Sequence, residues 1–326
     1  MTGTSNGIIE TSMATSSSQH VGLLLLPGFP LMSYAAVVEP MRAANVLSGK
    51  QLFRWTNFAA MSSVESSSGV IAPCTRLTAP LPLVDLLFAV AGGNPARFDH
   101  RPTFAWLRRI AKTGVRVGGI SGGPFILAKA GLMDGHSMTI HWEHAPALRE
   151  AFPLVHVRRS LFVIDRKRIT CAGGTAPLDM MHALIAETHG AALAQSVSDW
   201  FLHTDVRPSH GAQRASIVER YHVNDAKLIA ALEMMESNMG DPLPRAEIAK
   251  RLAISTRQLD RLFANHLGLS FQDQYMEIRL ANARAMLRQT GISITGVALA
   301  NGFSSGSHFS RAYKAKYRKS PREERV

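Results

Sequence analysis

The residues of this chain best placed to do chemistry lie in Gly118-Gly-Ile-Ser-Gly-Gly-Pro-Phe-Ile-Leu-Ala-Lys, with Ser121 at the apex of a glycine turn between an apolar run and a helical segment. A sharp strand-turn-helix lifts one side chain clear of a sheet, which is the layout of a nucleophile elbow. A serine hydroxyl becomes a nucleophile only with a base beside it and a third group that orients the base. His136, His141 and His144 are the candidate bases that follow, and His141 leads into Trp142. Cys74 and Cys171 lie in no C-x-x-C pair, so they build neither a disulfide framework nor a zinc site, and no metal or cofactor is expected.

A second group of residues is suited to reading nucleic acid. In Ala246-Glu-Ile-Ala-Lys-Arg-Leu-Ala-Ile-Ser-Thr-Arg-Gln-Leu-Asp-Arg-Leu-Phe a short amphipathic helix ends near Leu252, and Ser255 is placed to cap the next. Leu259, Leu262 and Phe263 form the apolar stripe of that second helix. Arg257, Asp260 and Arg261 then share another face at i, i+3 and i+4. An arginine on such a face can bond guanine O6 and N7 together in a major groove. The pattern returns at Ser293–Tyr317, where Phe309, Ala312 and Tyr313 point inward and Ser307, Ser310 and Arg311 outward. A helix around Met276–Leu287 joins the two copies and can hold two reading heads about one DNA turn apart, ~34 Å.

The elements that must position these residues fall into two sets. From His20 to Leu202, short apolar runs bounded by Gly and Pro alternate with segments of helical period, the pattern of an α/β domain with a mostly parallel sheet. Strands are predicted at Val21–Leu26, Arg54–Ala60, Leu86–Val90, Val115–Ile120, Leu161–Ile164 and Ile169–Cys171. Helices are predicted at Tyr34–Leu47, Thr103–Lys112, Pro124–Ala130, Trp142–Phe152, Pro177–Thr188 and Ala191–Leu202. Parallel sheets bind ligands beyond the carboxyl ends of their strands. Those ends carry Pro27-Gly-Phe-Pro, Ala91-Gly-Gly-Asn and Ser121-Gly-Gly. Thr204-Asp-Val-Arg-Pro-Ser-His-Gly-Ala-Gln has linker composition, and everything after it reads as helix.

The chain of 326 residues carries a net charge of +12. From Arg245 onward it holds 15 basic and 6 acidic residues, so +9 of that excess falls in the last quarter, where nucleic acid is the default polyanion. Residues 1–19 are rich in Ser and Thr, lack the charged and apolar regions of a signal peptide, and are expected to form a disordered tail. Val21-Gly-Leu-Leu-Leu-Leu is far shorter than the ~20 apolar residues of a membrane span, so no membrane partner is expected and a reducing cytoplasm fits.

Residues 222–326 resemble the AraC/XylS family of transcription regulators. The resemblance is carried by Arg257-Gln-Leu-Asp-Arg-Leu-Phe, Arg279-Leu-Ala-Asn-Ala-Arg, Gly302-Phe-Ser-Ser-Gly-Ser-His-Phe-Ser-Arg-Ala-Tyr and Ser320-Pro-Arg-Glu-Glu-Arg. It implies an all-α double helix-turn-helix with Arg257, Asp260, Arg261, Ser307, Ser310 and Arg311 at the DNA-facing positions. Two residues depart from the family pattern. Gly306 replaces a longer side chain, and Arg318 replaces a Gly, which carries a backbone cost if that position needs φ > 0.

Residues 20–205 resemble the PfpI branch of the class I glutamine amidotransferase-like superfamily, and the two modules together resemble its fusions with an AraC module, the GlxA-type regulators. The carriers are Leu25-Leu-Pro-Gly-Phe, Glu39-Pro-Met-Arg-Ala-Ala-Asn, Ala91-Gly-Gly-Asn, Gly122-Gly-Pro-Phe-Ile-Leu-Ala-Lys, His141-Trp142 and Ala172-Gly-Gly-Thr-Ala-Pro-Leu-Asp. The implied fold is a flavodoxin-like α/β sandwich on a parallel sheet, joined to the helical module by a linker at 206–221. Catalytic relatives place Cys at the elbow and an acid in the loop after the first strand, whereas here the elbow holds Ser121 and Gly28-Phe-Pro-Leu-Met-Ser-Tyr holds no carboxylate. Ser121 therefore reads as a lapsed nucleophile in a ligand-sensing domain that is not an enzyme.

The expected ligand contacts are Phe29, Tyr34, Gly93, Asn94, Ser121, Gly122, His141 and Trp142. Phe29, Tyr34 and Trp142 would offer aromatic faces to a quaternary amine, and the amides after Ser121 would take a carboxylate. Asp179, near a helix start, is expected to serve the fold through the helix dipole. The whole reads as a homodimeric, cytoplasmic, DNA-binding activator of a catabolic operon, with promoter DNA, RNA polymerase and a small nitrogenous effector as partners. Its rivals are a serine amidase or hydrolase and a domain that only dimerises. Ser121→Ala separates the first of these: the regulator reading expects unchanged affinity for promoter DNA in a titration, whereas a serine hydrolase loses all amide turnover.

Overall fold

The computed structural model describes residues 18–78, 80–289 and 292–325, so residues 1–17 of the expected tail lie outside the described residues and Gln19 already opens the first strand. In chain order the α/β domain runs β1 (Gln19–Leu25), α1 (Leu31–Ser48), β2 (Phe53–Ala59), β3 (Ser63–Glu65), β4 (Ile71–Pro73), β5 (Thr75–Arg76) and β6 (Leu86–Ala91). A single 3-10 turn at Pro95–Arg97 precedes α2 (Arg101–Lys112), β7 (Arg116–Ser121), α3 (Gly123–Lys129) and β8 (Ser137–Met138). The domain closes with α4 (Ala145–Ala151), β9 (His156–Val157), β10 (Phe162–Asp165), β11 (Arg168–Cys171), α5 (Ala176–His189) and α6 (Ala191–Trp200).

Seven strands form one sheet in the order β10-β11-β7-β6-β1-β2-β5, parallel except for the β10–β11 hairpin. The central strand β6, Leu-Leu-Phe-Ala-Val-Ala, is buried at every position, as a parallel strand covered on both faces must be. Its neighbour β1 divides its leucines by the two-residue strand period. Leu23 and Leu25 pack with Met41, Phe88, Met180 and Ile185 under α1, α5 and α6. Leu24 and Leu26 pack with Leu87, Trp106, Leu107 and Ile126 under α2 and α3. All six expected strands are present with ends moved by a residue or two, whereas β3, β4, β5, β8 and β9 were not anticipated, being too short to show a period. The helix expected at Trp142 begins instead at Ala145, because Pro146 takes the first turn and Trp142–His144 form a turn closed by His144 N–H to His141 O at 2.8 Å.

The helical module comprises α7 (Ile217–Tyr221), α8 (Ala226–Ser237), α9 (Arg245–Arg251), α10 (Thr256–Leu267), α11 (Phe271–Gln289), α12 (Ile294–Ala300), α13 (Gly306–Tyr317) and α14 (Pro321–Glu324). The helix α7 lies within the expected linker, opened by a capping box between Ser216 and Glu219, and its Ile217 joins the first helical core. Ser255 caps α10 as expected from the sequence, with Gln258 closing the box. The central helix α11 belongs to two cores. Its first half gives Phe271, Tyr275 and Ile278 to the core around Leu259 and Phe263, and its second half gives Leu280, Ala283, Met286 and Leu287 to the core around Phe303, Phe309 and Tyr313.

The two helix-turn-helix units end alike. α10 stops at Gly268 with φ +66° and α13 at Arg318 with φ +59°, and in each case the cap N–H bonds back to the carbonyl four residues earlier, Ala264 or Lys314. A side chain in this left-handed cap costs about 1–2 kcal/mol relative to the right-handed region, a cost that glycine escapes. Arg318→Gly is accordingly expected to stabilise the helical module by about 1 kcal/mol, read as a higher denaturant midpoint with an unchanged slope.

Candidate functional site

Ser121 ends β7 in the left-handed region at φ +60°, a strained conformation for a residue with a side chain. Its surroundings hold it there. The Gly122 N–H bonds the Ala91 carbonyl at 2.8 Å, clamping the turn to the end of β6, and a Cβ on Gly123 would collide with the Ala89 carbonyl. On the other side Gly173, at φ +87°, approaches so closely that a Cβ there would lie 2.6 Å from the Ser121 Cβ. Ser33, in the first turn of α1, accepts a 2.9 Å bond from the Gly174 N–H, and Gly92 after β6 lies against the Gly28 carbonyl and Pro30 of the loop after β1. The loops after β1, β6 and β7 therefore meet around Ser121, as the three glycine-bearing strand ends foretold, and the loop after β11 joins them through Gly173.

The chemistry of an elbow is not assembled there. No hydrogen bond joins Ser121 Oγ to an imidazole among the described residues; the link to His141 is a backbone bond, His141 N–H to Ser121 O at 3.3 Å. Burial pushes the His141 pKa down, opposed by the Glu143 carboxylate at 3.9 Å from Nδ1, so its imidazole is neutral at pH 7. Cys171, fully buried nearby, has its thiol pushed up to about 12 by burial and is no substitute nucleophile. The amides of the turn are also largely spent. Gly122 N–H is bonded to Ala91, Phe125 N–H to Gly122 O, and Pro124 has none, which leaves the Gly123 N–H for the carboxylate expected there.

The expected ligand residues separate into groups. Phe29 is fully buried, its ring edge-on to Tyr34 at 5.5 Å, so it is core and not an open aromatic wall. Gly28, just before it, has a positive φ of 72°. Tyr34 is half-buried with its hydroxyl donating to Asn57 Oδ1 at 3.3 Å. Trp142 remains 41% exposed, 5.4 Å from the His141 ring, and no ring contact joins it to Phe29 or Tyr34 among the described residues. Gly93 is exposed at φ +58°, and the Asn94 amide donates to the Arg288 carbonyl of α11 at 3.0 Å, which ties this loop to the helical module.

Two side chains were missed or misread from the sequence. Glu143 places its carboxylate 3.9 Å from His141 Nδ1, a neighbour present in His141-Trp-Glu-His beside the histidines and Trp142 named as candidates. Asp179 does lie in the first turn of α5, but its carboxylate, 1% exposed, also accepts from His203 Nε2 at 2.9 Å and from Arg207 through the backbone N–H at 2.8 Å, Nε at 3.1 Å and Nη2 at 2.6 Å. It is the anchor of the linker.

The positions expected to face DNA are at the surface. Arg257 and Arg261 on α10 and Ser307 and Arg311 on α13 are exposed, while Asp260 and Ser310 are partly buried. Asp260 pairs with Arg245 at 2.8 Å and so braces α10 to the start of α9. Arg257, Arg261 and Arg311 have no ion-pair partner among the described residues. The Arg279-Leu-Ala-Asn-Ala-Arg motif works inward instead. Arg279 stacks on Phe303 at 4.2 Å and donates to the Asn301 carbonyl, Asn282 bonds the Asn301 side chain, and Arg284 stacks on Tyr317 while bonding the buried Glu324.

Known proteins match both halves. Residues 62–187 match the DJ-1/PfpI family and residues 248–325 a helix-turn-helix domain family. The chain is 46% identical over 315 residues to the HTH-type transcriptional regulator GlxA of Rhizobium meliloti, covering 95% of this chain and 97% of that protein. It is 42% identical over 310 residues to the HTH-type transcriptional regulator CdhR of Pseudomonas aeruginosa, covering 95% and 92%. A crystal structure of an AraC family transcriptional regulator from Pseudomonas putida superposes with a TM-score of 0.51 at 26% identity, over 56% of this chain and 99% of that one.

The Asp179 anchor sets a measurable expectation. Removing a buried carboxylate strands its partners, and because Arg207 keeps some solvent the cost falls below the fully buried limit. Asp179→Ala should destabilise the α/β domain by about 2–3 kcal/mol in denaturant unfolding and expose the 204–214 stretch to proteolysis, whereas a dipole role alone would cost under about 1 kcal/mol and leave the linker protected.

Proposed function

Given that the chain belongs to the family of HTH-type transcriptional regulators that join a DJ-1/PfpI domain to an AraC-type helix-turn-helix module, we propose that it is an activator of a catabolic operon, answering a small nitrogenous metabolite. It is a DNA-binding transcription regulator and not an enzyme. No helix among the described residues is long and apolar enough to cross a membrane. A cytoplasmic homodimer that engages RNA polymerase at the promoter belongs to the same reading.

One observation carries the DNA side of it. Two helix-turn-helix units share the single helix α11, and each presents arginine without an acidic partner on its second helix, Arg257 and Arg261 on α10 and Arg311 on α13. A shared helix fixes the separation of two reading heads, which is what two successive major grooves require.

The effector side rests on Trp142 with His141 and Glu143. An exposed indole, a neutral imidazole and a carboxylate form a surface for a positively charged nitrogen, through the ring face and the nearby negative charge. The elbow adds one amide from Gly123 toward the acidic end of an amino acid or betaine.

Fluorescence anisotropy against duplexes selected from genomic fragments tests the regulator reading. Affinity should fall steeply with salt. Arg257→Ala and Arg311→Ala should each cost about 1–3 kcal/mol and relax base preference in one half of the site only, the two halves lying about one helical turn apart. Absence of any sequence-selective binding, with or without amines, would refute it.

A further inference from the structure

Trp142 is exposed but its face is not bare. The guanidinium carbon of Arg214 lies 4.5 Å from the indole centroid. Arg214 belongs to the stretch that joins the two modules, and that stretch is laid along the α/β domain by specific bonds. Asp179 holds Arg207, the Ser209 carbonyl accepts from the Leu161 N–H at 2.8 Å, and the Gln213 side-chain amide donates to Thr139 Oγ1 at 3.0 Å, the Ile140 carbonyl at 3.0 Å and the Ser160 carbonyl at 2.7 Å. Gln213 is thus seated under the strand end that leads directly into His141 and Trp142. Two residues beyond Arg214, Ser216 caps α7, where Arg220 makes a two-pronged pair with Glu236 of α8 at 2.6 and 2.9 Å. Arg214 therefore stands where the helical module meets the aromatic patch of the sensing domain.

Two further features mark this seat as one that can be vacated. Arg214 has no ion-pair partner among the described residues, and burial together with Arg220 presses its pKa down, against Glu236 and Tyr221. The Gln213 Oε1, buried beside its well-bonded amide nitrogen, has no hydrogen-bond partner. A buried acceptor left unpaired weakens the seat that holds it, since the same atom is hydrated once the linker lifts.

We propose that the outer face of Trp142 is the cation subsite of the effector site and that Arg214 is its built-in occupant, so that a quaternary or protonated amine binds by displacing Arg214 and freeing the linker. The proposal deepens the effector reading above and depends on it. Two cations do not share one ring face, because the attraction of each to the indole is offset by their mutual repulsion. A ligand that binds only the Arg214-out arrangement draws the population toward it, and its apparent affinity is reduced by the fraction of chains already in that arrangement. Release of Arg214 loosens the segment between Gln213 and α7, which is the covalent path from the sensing domain to the first reading head.

The test uses the full chain with tetramethylammonium chloride as probe, sodium chloride at equal ionic strength as control, and hydrogen exchange across residues 204–216 and at the Leu161 amide as readout. Tetramethylammonium should speed exchange at both places in the unaltered chain. Arg214→Ala should show fast exchange without amine and bind tetramethylammonium about tenfold more tightly, since the competitor is gone. Arg214→Lys, which keeps the charge but stacks less well, should fall between the two. Trp142→Ala should lose the response to amine while its linker exchanges fast throughout. Unchanged exchange and affinity in Arg214→Ala, or amine binding that leaves the linker protected, overturns the proposal. DNA selectivity, measured on the same samples, keeps the two readings apart. Selective DNA binding with an unresponsive linker sinks this inference alone, whereas a responsive linker without selective DNA binding sinks the regulator reading and leaves the cation subsite standing.

Discussion

The buried carboxylate of Asp179 decides where everything after residue 203 can go. A charge with almost no solvent must be matched by donors, and those it finds are the His203 ring and three N–H groups of Arg207. Meeting them pins the chain that leaves α6 back across the end of the sheet. From that fixed point the linker has few residues in which to reach α7, and its course over Ser160, Thr139 and Ile140 brings Gln213 and Arg214 to the loop that carries His141 and Trp142. A contact that looks like a structural detail of one helix start thereby sets where Arg214 meets Trp142.

The same logic explains why the elbow outlives its chemistry. The left-handed turn at Ser121 is imposed by close backbone packing, with Gly122 bonded to Ala91 and Gly173 pressed against the Ser121 side chain. These contacts hold the carboxyl ends of β6, β7 and β11 together, so the turn is needed for the sheet edge whether or not a nucleophile occupies it. That packing is made by backbone and glycine contacts and does not depend on what the Ser121 side chain does.

Most of the architecture was legible because it rests on local periodicity. Continuous apolar runs such as Leu86–Val90 announce buried parallel strands, and Ser255 announces a helix start, since both signals depend on a few adjacent residues. The site was less legible because its links span long stretches of chain. Nothing near Asp179 names Arg207, and nothing near Trp142 names Arg214, so an anchor read as a dipole contact and an indole read as an open wall. Phe29 failed for a related reason: an aromatic at a strand end faces the cleft or the core according to partners distant in sequence, and here its ring lies in the core with Leu23, Leu25 and Met41. Short β pairs such as β8 with β9 escape any periodic reading because two residues carry no period.

Charge in the last quarter of the chain gains meaning only when divided by use. Arg284 and Arg288 converge on the buried Glu324, whose carboxyl burial would raise but whose arginine partners draw it below the ordinary range. Arg279 lies against Phe303 and has its own pKa lowered by burial. These three hold α11 to the second helix-turn-helix unit, so they contribute rigidity and little outward field. What remains for a polyanion on the second helices is the set without acidic partners among the described residues, Arg257 and Arg261 on α10 and Arg311 and Lys314 on α13. A shared α11 and arginines without acidic partners on α10 and α13 are complementary, because counterion release gives affinity for any duplex, base-edge contacts give preference, and a fixed spacing between heads lets two such contacts act on one site.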